Sequence, residues 1–479
     1  MKIQAFKRTI FILLILGSRV IAICQPQTDS LTGYLLCAAK NNPLVMQRYY
    51  EYMASAQKAP QVGSLPDPEI SLGVFLVPME LMEGQQLADV RLMQMFPWFG
   101  ILKSSRDEMS LMAKAKYESF LDAKLQLDYD LQRTWSELLK LKQNMRISAK
   151  NLEILQTIER LSIAKFSSPI SGNPQAPTKA MPASSGQSVT SGPSGMQNMG
   201  GSQRNKNSTG SKPTGATMPD NSMGNASGGS GLTDVYQVQI EIRELQNNIE
   251  LLSSRWNSLA AEFNSYLNRP PTNPLYLPDT IVQMTPNQSL FIINDSMLER
   301  NPMLNMIEYE QQSLMARHKM VNKMGYPMIG VGLNYSLIKK SEGNNSSMNG
   351  KDMIMPMVTA TLPIYRKKYK AMKDEMHALQ SASEQNYKAT ENTLQNDYYQ
   401  ALQSMQDAQH RSKLYTDQFS LASKSLNVML MNFSSGTSNL SDVLRVQQQN
   451  LDYEYKQIEA IADYNTSVAW LTRIVGLSQ

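Results

Sequence analysis

Thirty-two methionines in 479 residues give this chain its most distinctive chemistry. A thioether sulfur is a soft ligand that prefers Cu(I), and by the same logic Ag(I), to hard cations. Five of these residues, Met181, Met196, Met199, Met218 and Met223, lie in a stretch dominated by Gly, Ser, Asn, Pro and Thr. Such a composition cannot bury enough apolar surface to fold, so thioethers there have no core to fill and are candidate metal ligands. Met196-Gln197-Asn198-Met199 puts two sulfurs within reach of one ion. A second group stands in alternating segments. Met93 and Met95 share the parity of Asp89 and Arg91, and Met353, Met355 and Met357 share that of Thr359 and Thr361. If the polar residues face water, these five methionines face it too and would line a lumen. The competing reading treats methionine as a flexible apolar filler.

No catalytic constellation accompanies this sulfur. His318, His377 and His410 stand isolated in helical sequence without HExxH spacing, and there is no Gly-rich phosphate loop or nucleophile elbow. Carboxylates alternate with Lys and Arg along the helices, as on solvated faces. The chain is not expected to be an enzyme, and no cofactor is expected.

The elements that would position the methionines are strands and very long helices. Residues 69–77 alternate, with Ile70, Leu72, Val74 and Leu76 on one face and Ser71 and Gly73 on the other. Residues 87–96, 328–338 and 353–362 alternate in the same way. Period two with one apolar and one polar face suits a barrel wall between lipid and water, or else half-buried strands of a soluble sheet. Four strands cannot close around a pore, because the smallest membrane barrels need about eight. Closure would then require several chains, and three would supply twelve strands.

Residues 100–168 and 366–434 contain no Pro and are helix-compatible throughout. At 1.5 Å per residue each would run ~100 Å. Leu131, Leu138, Met145 and Leu152 follow a heptad, with Leu141 and Leu155 two heptads apart, which predicts coiled-coil packing. The second long segment carries Tyr398, Met405 and Phe419 with small Ala401, Ala408 and Ala422 between them. Shorter helices are expected over 31–64, 233–267, 286–324 and 439–474. The segment 270–285, with Pro270, Pro271 and Pro274, connects without being helical.

The chain also states its pattern twice. Asn42-Pro43, Pro68, Ile70 and Gly73 recur 259 residues later as Asn301-Pro302, Pro327, Ile329 and Gly332. Asp107-Glu108-Met109 and Phe166-Ser167-Ser168 recur 267 residues later as Asp374-Glu375-Met376 and Phe433-Ser434-Ser435. Leu232-Thr233-Asp234-Val235 pairs with Leu440-Ser441-Asp442-Val443 at 208, so the first copy holds 59 extra residues, the Met-rich segment at about 170–230. Two internal repeats, 25–269 and 286–479, are therefore expected, the kind of duplication that precedes a pseudosymmetric assembly.

Lys2, Lys7 and Arg8, the apolar run Ile10 to Leu16, and the small Ala22 and Cys24 have the layout of a secretory signal peptide over residues 1–24. Its removal takes Lys2, Lys7, Arg8 and Arg19 and leaves 42 basic residues against 41 acidic, which gives no argument for nucleic acid. Cys24 is also a candidate lipidation site, although Ile23 stands where a lipobox has Gly, Ala or Ser. Cys37, in an apolar helical stretch, reads as a buried core thiol, and with Cys24 removed or acylated no internal disulfide is available. The remaining chain has no apolar stretch of the roughly 20 residues a spanning helix needs, whereas barrel strands need only ~9–11.

The order and spacing of these pieces resemble the TolC family of outer-membrane efflux factors. The likeness is carried by Asn41-Asn42-Pro43, Leu65-Pro66-Asp67-Pro68-Glu69, Gln94-Met95-Phe96-Pro97-Trp98-Phe99-Gly100 and Leu362-Pro363-Ile364-Tyr365. Ser435-Gly436-Thr437 with Leu440-Ser441-Asp442-Val443, and the C-terminal Leu471 to Gly476, continue it. The resemblance implies an α+β membrane protein: a homotrimer whose twelve-stranded outer-membrane β-barrel continues into an antiparallel coiled-coil periplasmic tunnel. It implies a passive exit duct in outer-membrane lipid that docks, through its hairpin tips, onto a periplasmic adaptor and an inner-membrane pump. The tips would be Phe166, Ser167, Ser168, Gly231, Leu232, Thr233 and Asp234 in the first copy. In the second they would be Phe433, Ser434, Ser435, Gly436, Thr437, Leu440, Ser441 and Asp442. The methionines are most similar to the copper and silver branch, whose pumps are of the resistance-nodulation-division class.

The 59-residue insertion departs from the family's short tips. It suggests a tether that delivers soft metal or raises local adaptor concentration, or else a passive spacer. General drug efflux and type I protein secretion use the same fold and are the alternative functions. A periplasmic coiled-coil scaffold would leave the four amphipathic strands unexplained.

Overall fold

The computed structural model describes residues 30–81, 84–167, 230–286, 300–342, 347 and 349–477. The expected signal peptide with Cys24, the methionines of the insertion, and Ser168 lie outside the described residues. Among them the chain forms seven helices and four strands. The order is α1 (Leu31–Asn41), α2 (Pro43–Gly63), β1 (Glu69–Leu81), β2 (Gly84–Phe96), α3 (Ile101–Ser167) and α4 (Ser230–Tyr266). There follow α5 (Pro302–Met324), β3 (Met328–Lys339), β4 (Met353–Thr361), α6 (Arg366–Ser434) and α7 (Leu440–Val475).

The single helix expected over 31–64 is two. Asn42 leaves helical geometry at φ −64°, ψ 124°, and its Oδ1 accepts from Leu44 N and Val45 N, capping α2 with Pro43 at its first position. An Asn cap satisfies the orphan N–H groups, and Pro needs none there. The same arrangement starts α5: Asn301 Oδ1 accepts from Met303 N, and Pro302 follows; residues 287–299 of the helix expected over 286–324 lie outside the described residues. Each Asn side chain also donates to the end of another helix, Asn42 Nδ2 to Tyr266 O (3.0 Å) and Asn301 Nδ2 to Ile474 O (2.8 Å). Those ends close alike, with left-handed residues Asn268 (φ 54°) and Gly476 (φ 73°). Arg269 N bonds back to Asn264 O and Leu477 N to Thr472 O, the longer bond of a Schellman cap.

The strands pair as one antiparallel sheet in the order β1-β2-β3-β4. β1 and β2 are longer than their alternation marks. Register shifts between Val74 and Met79, and between Gln86 and Ala88, break the period and hide the outer ends of both strands from a parity reading.

Two hydrophobic clusters hold the helices. In the first, Tyr34, Trp135 and Phe263 meet with ring centroids 5.3–5.8 Å apart, packed with Cys37, Leu131, Leu138 and Leu267. Cys37 is buried, as expected of a core thiol. The second joins Leu304, Tyr398, Ala401, Met405, Ala408, Tyr464 and Leu471. Residues 270–286 are non-helical. Lys142 Nζ donates to Leu277 O and Asp279 Oδ1 (both 2.9 Å), and Asn465 exchanges bonds with Met284 N and Val282 O. The two expected repeats are not separate packing units, because α7 lends Ala462 to the first cluster. Compactness divides the chain differently, into Met1–Glu153 with Glu244–Gln479, and Ile154–Arg243. Within the latter Leu155, Ile158, Val235, Val238 and Ile242 are buried, and Gln239 Nε2 donates to Glu159 Oε1.

Candidate functional site

The register puts every expected lumen residue on one face of the sheet. Glu69, Met93, Gly332 and Met357 lie side by side across the four strands. So do Ser71, Arg91, Asn334 and Met355, then Gly73, Asp89, Ser336 and Met353, while Met95, Gly330 and Thr359 form the row at the other end. Side chains of one parity share a face, so Met93, Met95, Met353, Met355 and Met357 lie with the polar groups.

Burial on this sheet is inverted relative to a soluble protein. Asn334 is 8% exposed and Ser336 3%, whereas Ile70, Leu72, Val74 and Leu76 on the other face are 66–97% exposed. Val331, Leu333, Ile354 and Val358 are exposed with them. An apolar face of this extent is unstable in water and marks a surface that another phase or partner covers. At the strand ends nearest the helices stand Trp98, Phe99, Tyr326 and Tyr365. Trp98 stacks on Tyr326 at 5.1 Å, and Phe99 and Tyr365 are more than four-fifths exposed. No helix among the described residues is long and apolar enough to cross a membrane.

Glycines on the polar face make room for long side chains from β2. The Asp89 carboxylate lies over Gly73. A Cβ on Gly330 would meet Met95 Sδ at 2.6 Å and Met93 Sδ at 3.2 Å, so both thioethers converge on one point above β3. Met93 reaches far enough that Thr359 Oγ1, on β4, lies 3.4 Å from its sulfur.

The described hairpin tip joins α6 to α7. Gly436 turns at φ 79°, and Asn432 O accepts from Thr437 N, Thr437 Oγ1 and Ser435 Oγ. Phe433 and Leu440 are buried; Ser434, Ser435, Gly436, Thr437 and Ser441 are exposed, and Asp442 pairs with Arg445 at 3.1 Å. In the first tip Ser167, Leu232 and Thr233 are exposed and Asp234 is half-buried. Gly231 belongs to α4, and the side chain of Phe166 is outside the described residues.

Two features were missed in the sequence. His318 and His377, read as isolated, have ring centroids 5.0 Å apart where α5 meets α6. The carboxylates are not all on solvated faces. Burial raises Glu108, Glu118, Asp122, Glu310 and Glu454 above the usual carboxylate range, and pushes Asp128 on α3 up to about 6 against the pull of Lys124. Buried polar pairs also set α3 against α7, Gln447 Nε2 donating to Asn151 Oδ1 and Ser148 meeting Tyr455.

No curated protein sequence matches this chain. Residues 294–477, which contain α5, β3, β4, α6 and α7, match the family model described as outer membrane efflux protein. Among solved structures, the outer-membrane channel OprN aligns with a TM-score of 0.69 at 12% identity, over 96% of this chain and 93% of its own. The outer-membrane protein VceC of Vibrio cholerae aligns at 0.67 and 11% identity, over 94% and 96%. The transmembrane channel protein CusC aligns at 0.67 and 11%, over 94% and 93%. The chain thus has the fold of solved outer-membrane channels along nearly its whole length, and its C-terminal part matches the outer membrane efflux protein family.

Proposed function

We propose that this chain is one subunit of a homotrimeric outer-membrane exit duct. It is exported by residues 1–24 and acts without covalent chemistry. Three four-stranded sheets close a twelve-stranded barrel, and the helices continue it as a periplasmic tunnel built from two repeats per chain. The observation that carries this reading is the inverted sheet, whose exposed apolar face suits lipid and whose polar face suits a water-filled lumen. The exposed aromatic residues at the strand ends fit an interfacial belt.

The exposed tip residues Ser434, Ser435, Gly436, Thr437 and Ser441 dock a periplasmic adaptor, which links the duct to an inner-membrane pump of the resistance-nodulation-division class. Phe433 and Leu440 shape the tip from within. The cargo is Cu(I) or Ag(I), supported by the methionines of the insertion and of the polar face. The test is the sensitivity of a deletion strain to copper, silver, and a panel of dyes and antibiotics. Sensitisation to the metals alone is expected. Sensitisation to the organic compounds with metal tolerance unchanged would replace this reading with general efflux.

A further inference from the structure

We propose that Met93 and Met95, with Met357 as a third sulfur, form a thioether site for Cu(I) or Ag(I) over Gly330 on the polar face of the sheet. The two sulfurs of β2 converge on the space that a side chain at position 330 would fill, at 2.6 and 3.2 Å from it. Met93 and Met357 are the two residues paired with Gly332, one on each side of β3. Gly330 and Gly332 thus leave the middle strand bare between thioethers supplied by both neighbours.

The neighbours of this cluster are not those of a hydrophobic plug. Thr359 Oγ1 lies 3.4 Å from Met93 Sδ. Glu69 pairs with Met93 across β1 and brings a carboxylate to the same row, a counter-charge for a cation held by neutral sulfurs. Asn334, one row along, is 8% exposed and keeps a buried Oδ1 with no hydrogen-bond partner among the described residues. Val90 and Leu92 of β2 and Val331, Leu333 and Tyr335 of β3 stand on the opposite face, and the buried Ile338 lies at the far end of β3, so a filler beside Gly330 would have no apolar pocket to complete. Thioethers in a polar setting select soft monovalent ions, and the few oxygens nearby cannot build the six-to-eight-oxygen shell of a hard cation.

This site deepens the soft-metal reading, and its test separates the two. The full chain, purified in detergent, is titrated with silver nitrate in chloride-free buffer by calorimetry. Met93→Leu/Met95→Leu keeps side-chain volume, and the expected result is the loss of one silver equivalent per chain. A variant with the five insertion methionines changed to leucine keeps that equivalent, and Met357→Leu weakens it. Methyl NMR of the Met93 and Met95 ε-methyl groups, shifting on silver addition, reports the site even where a variant assembles poorly. Unchanged silver binding by the double variant, with unmoved methyl signals, would overturn the site whatever the strain's sensitivity. If the equivalent is lost in the double variant while a deletion strain tolerates silver normally, the site stands and the transport reading falls.

Discussion

The two hydrophobic clusters have members at matching positions in the two halves of the chain and are packed with different side chains. Leu131 and Leu138 of the first stand where Tyr398 and Met405 stand in the second, and Phe263 and Leu267 where Leu471 and Val475 stand. The first fills its volume with three rings. The second sets Ala401 and Ala408, both fully buried, among Tyr398, Met405 and Tyr464. Matching positions therefore accept either a cluster of rings or a set that includes fully buried alanines, with the interior filled in both cases.

This contrast gives its own tests, read as stability of the detergent-solubilised protein in chemical denaturation. The largest effect is expected at Phe263, where truncation to Ala removes the ring shared by Tyr34 and Trp135 and costs about 4 kcal/mol. Ala408→Leu should cost about 2 kcal/mol by overpacking, although the matching Leu141 carries that very side chain, buried, in the first half. A stabilising Ala408→Leu would show that the second cluster is underfilled and break the contrast.

Asp128 offers a test by pH. Its carboxyl is pushed up to about 6 from 3.8 by burial, so the folded chain holds its proton more tightly than the unfolded one. Stability is then lost as pH rises from about 4 to about 6, with the full penalty above that range. Asp128→Asn should gain about 2 kcal/mol at pH 7, a gain that shrinks toward nothing below pH 4. A gain independent of pH would assign the effect to packing.

The Asn caps sharpen the comparison, because there the two halves agree. Asn42→Ala and Asn301→Ala should each cost about 1–2 kcal/mol, for a cap plus one bond to a distant helix end. Unequal costs would show that the shared geometry hides unequal surroundings. The smallest effect belongs to Arg411, whose bridges to Asp407 and Asp463 are partly exposed, and Arg411→Ala should cost about 0.5 kcal/mol.

Much of the architecture was legible because it is local. Strand parity, Pro-free helical runs and Asn-Pro starts each act within a few residues. The break at Asn42 was legible only as half of its motif, since its backbone N–H bonds to Ala38 O at the end of one helix while its side chain caps the next. The pairing of His318 with His377 was not legible, because it depends on how α5 packs on α6 between residues far apart in sequence. The parity of the sheet methionines could be read, but the convergence of two of them could not. Their meeting is set by glycines on a neighbouring strand, and only the register reveals which glycines those are.

Among the described residues β1 and β4 are the outer strands of the sheet, each with one side unpaired. In hydrocarbon those backbone groups would find no water, and each unmet one costs several kcal/mol. In water, the same newly made sheet would expose its apolar face and two sticky rims. A solitary chain is thus uncomfortable in either phase, and on the exit-duct reading proposed above rim pairing between copies would coincide with burial in lipid.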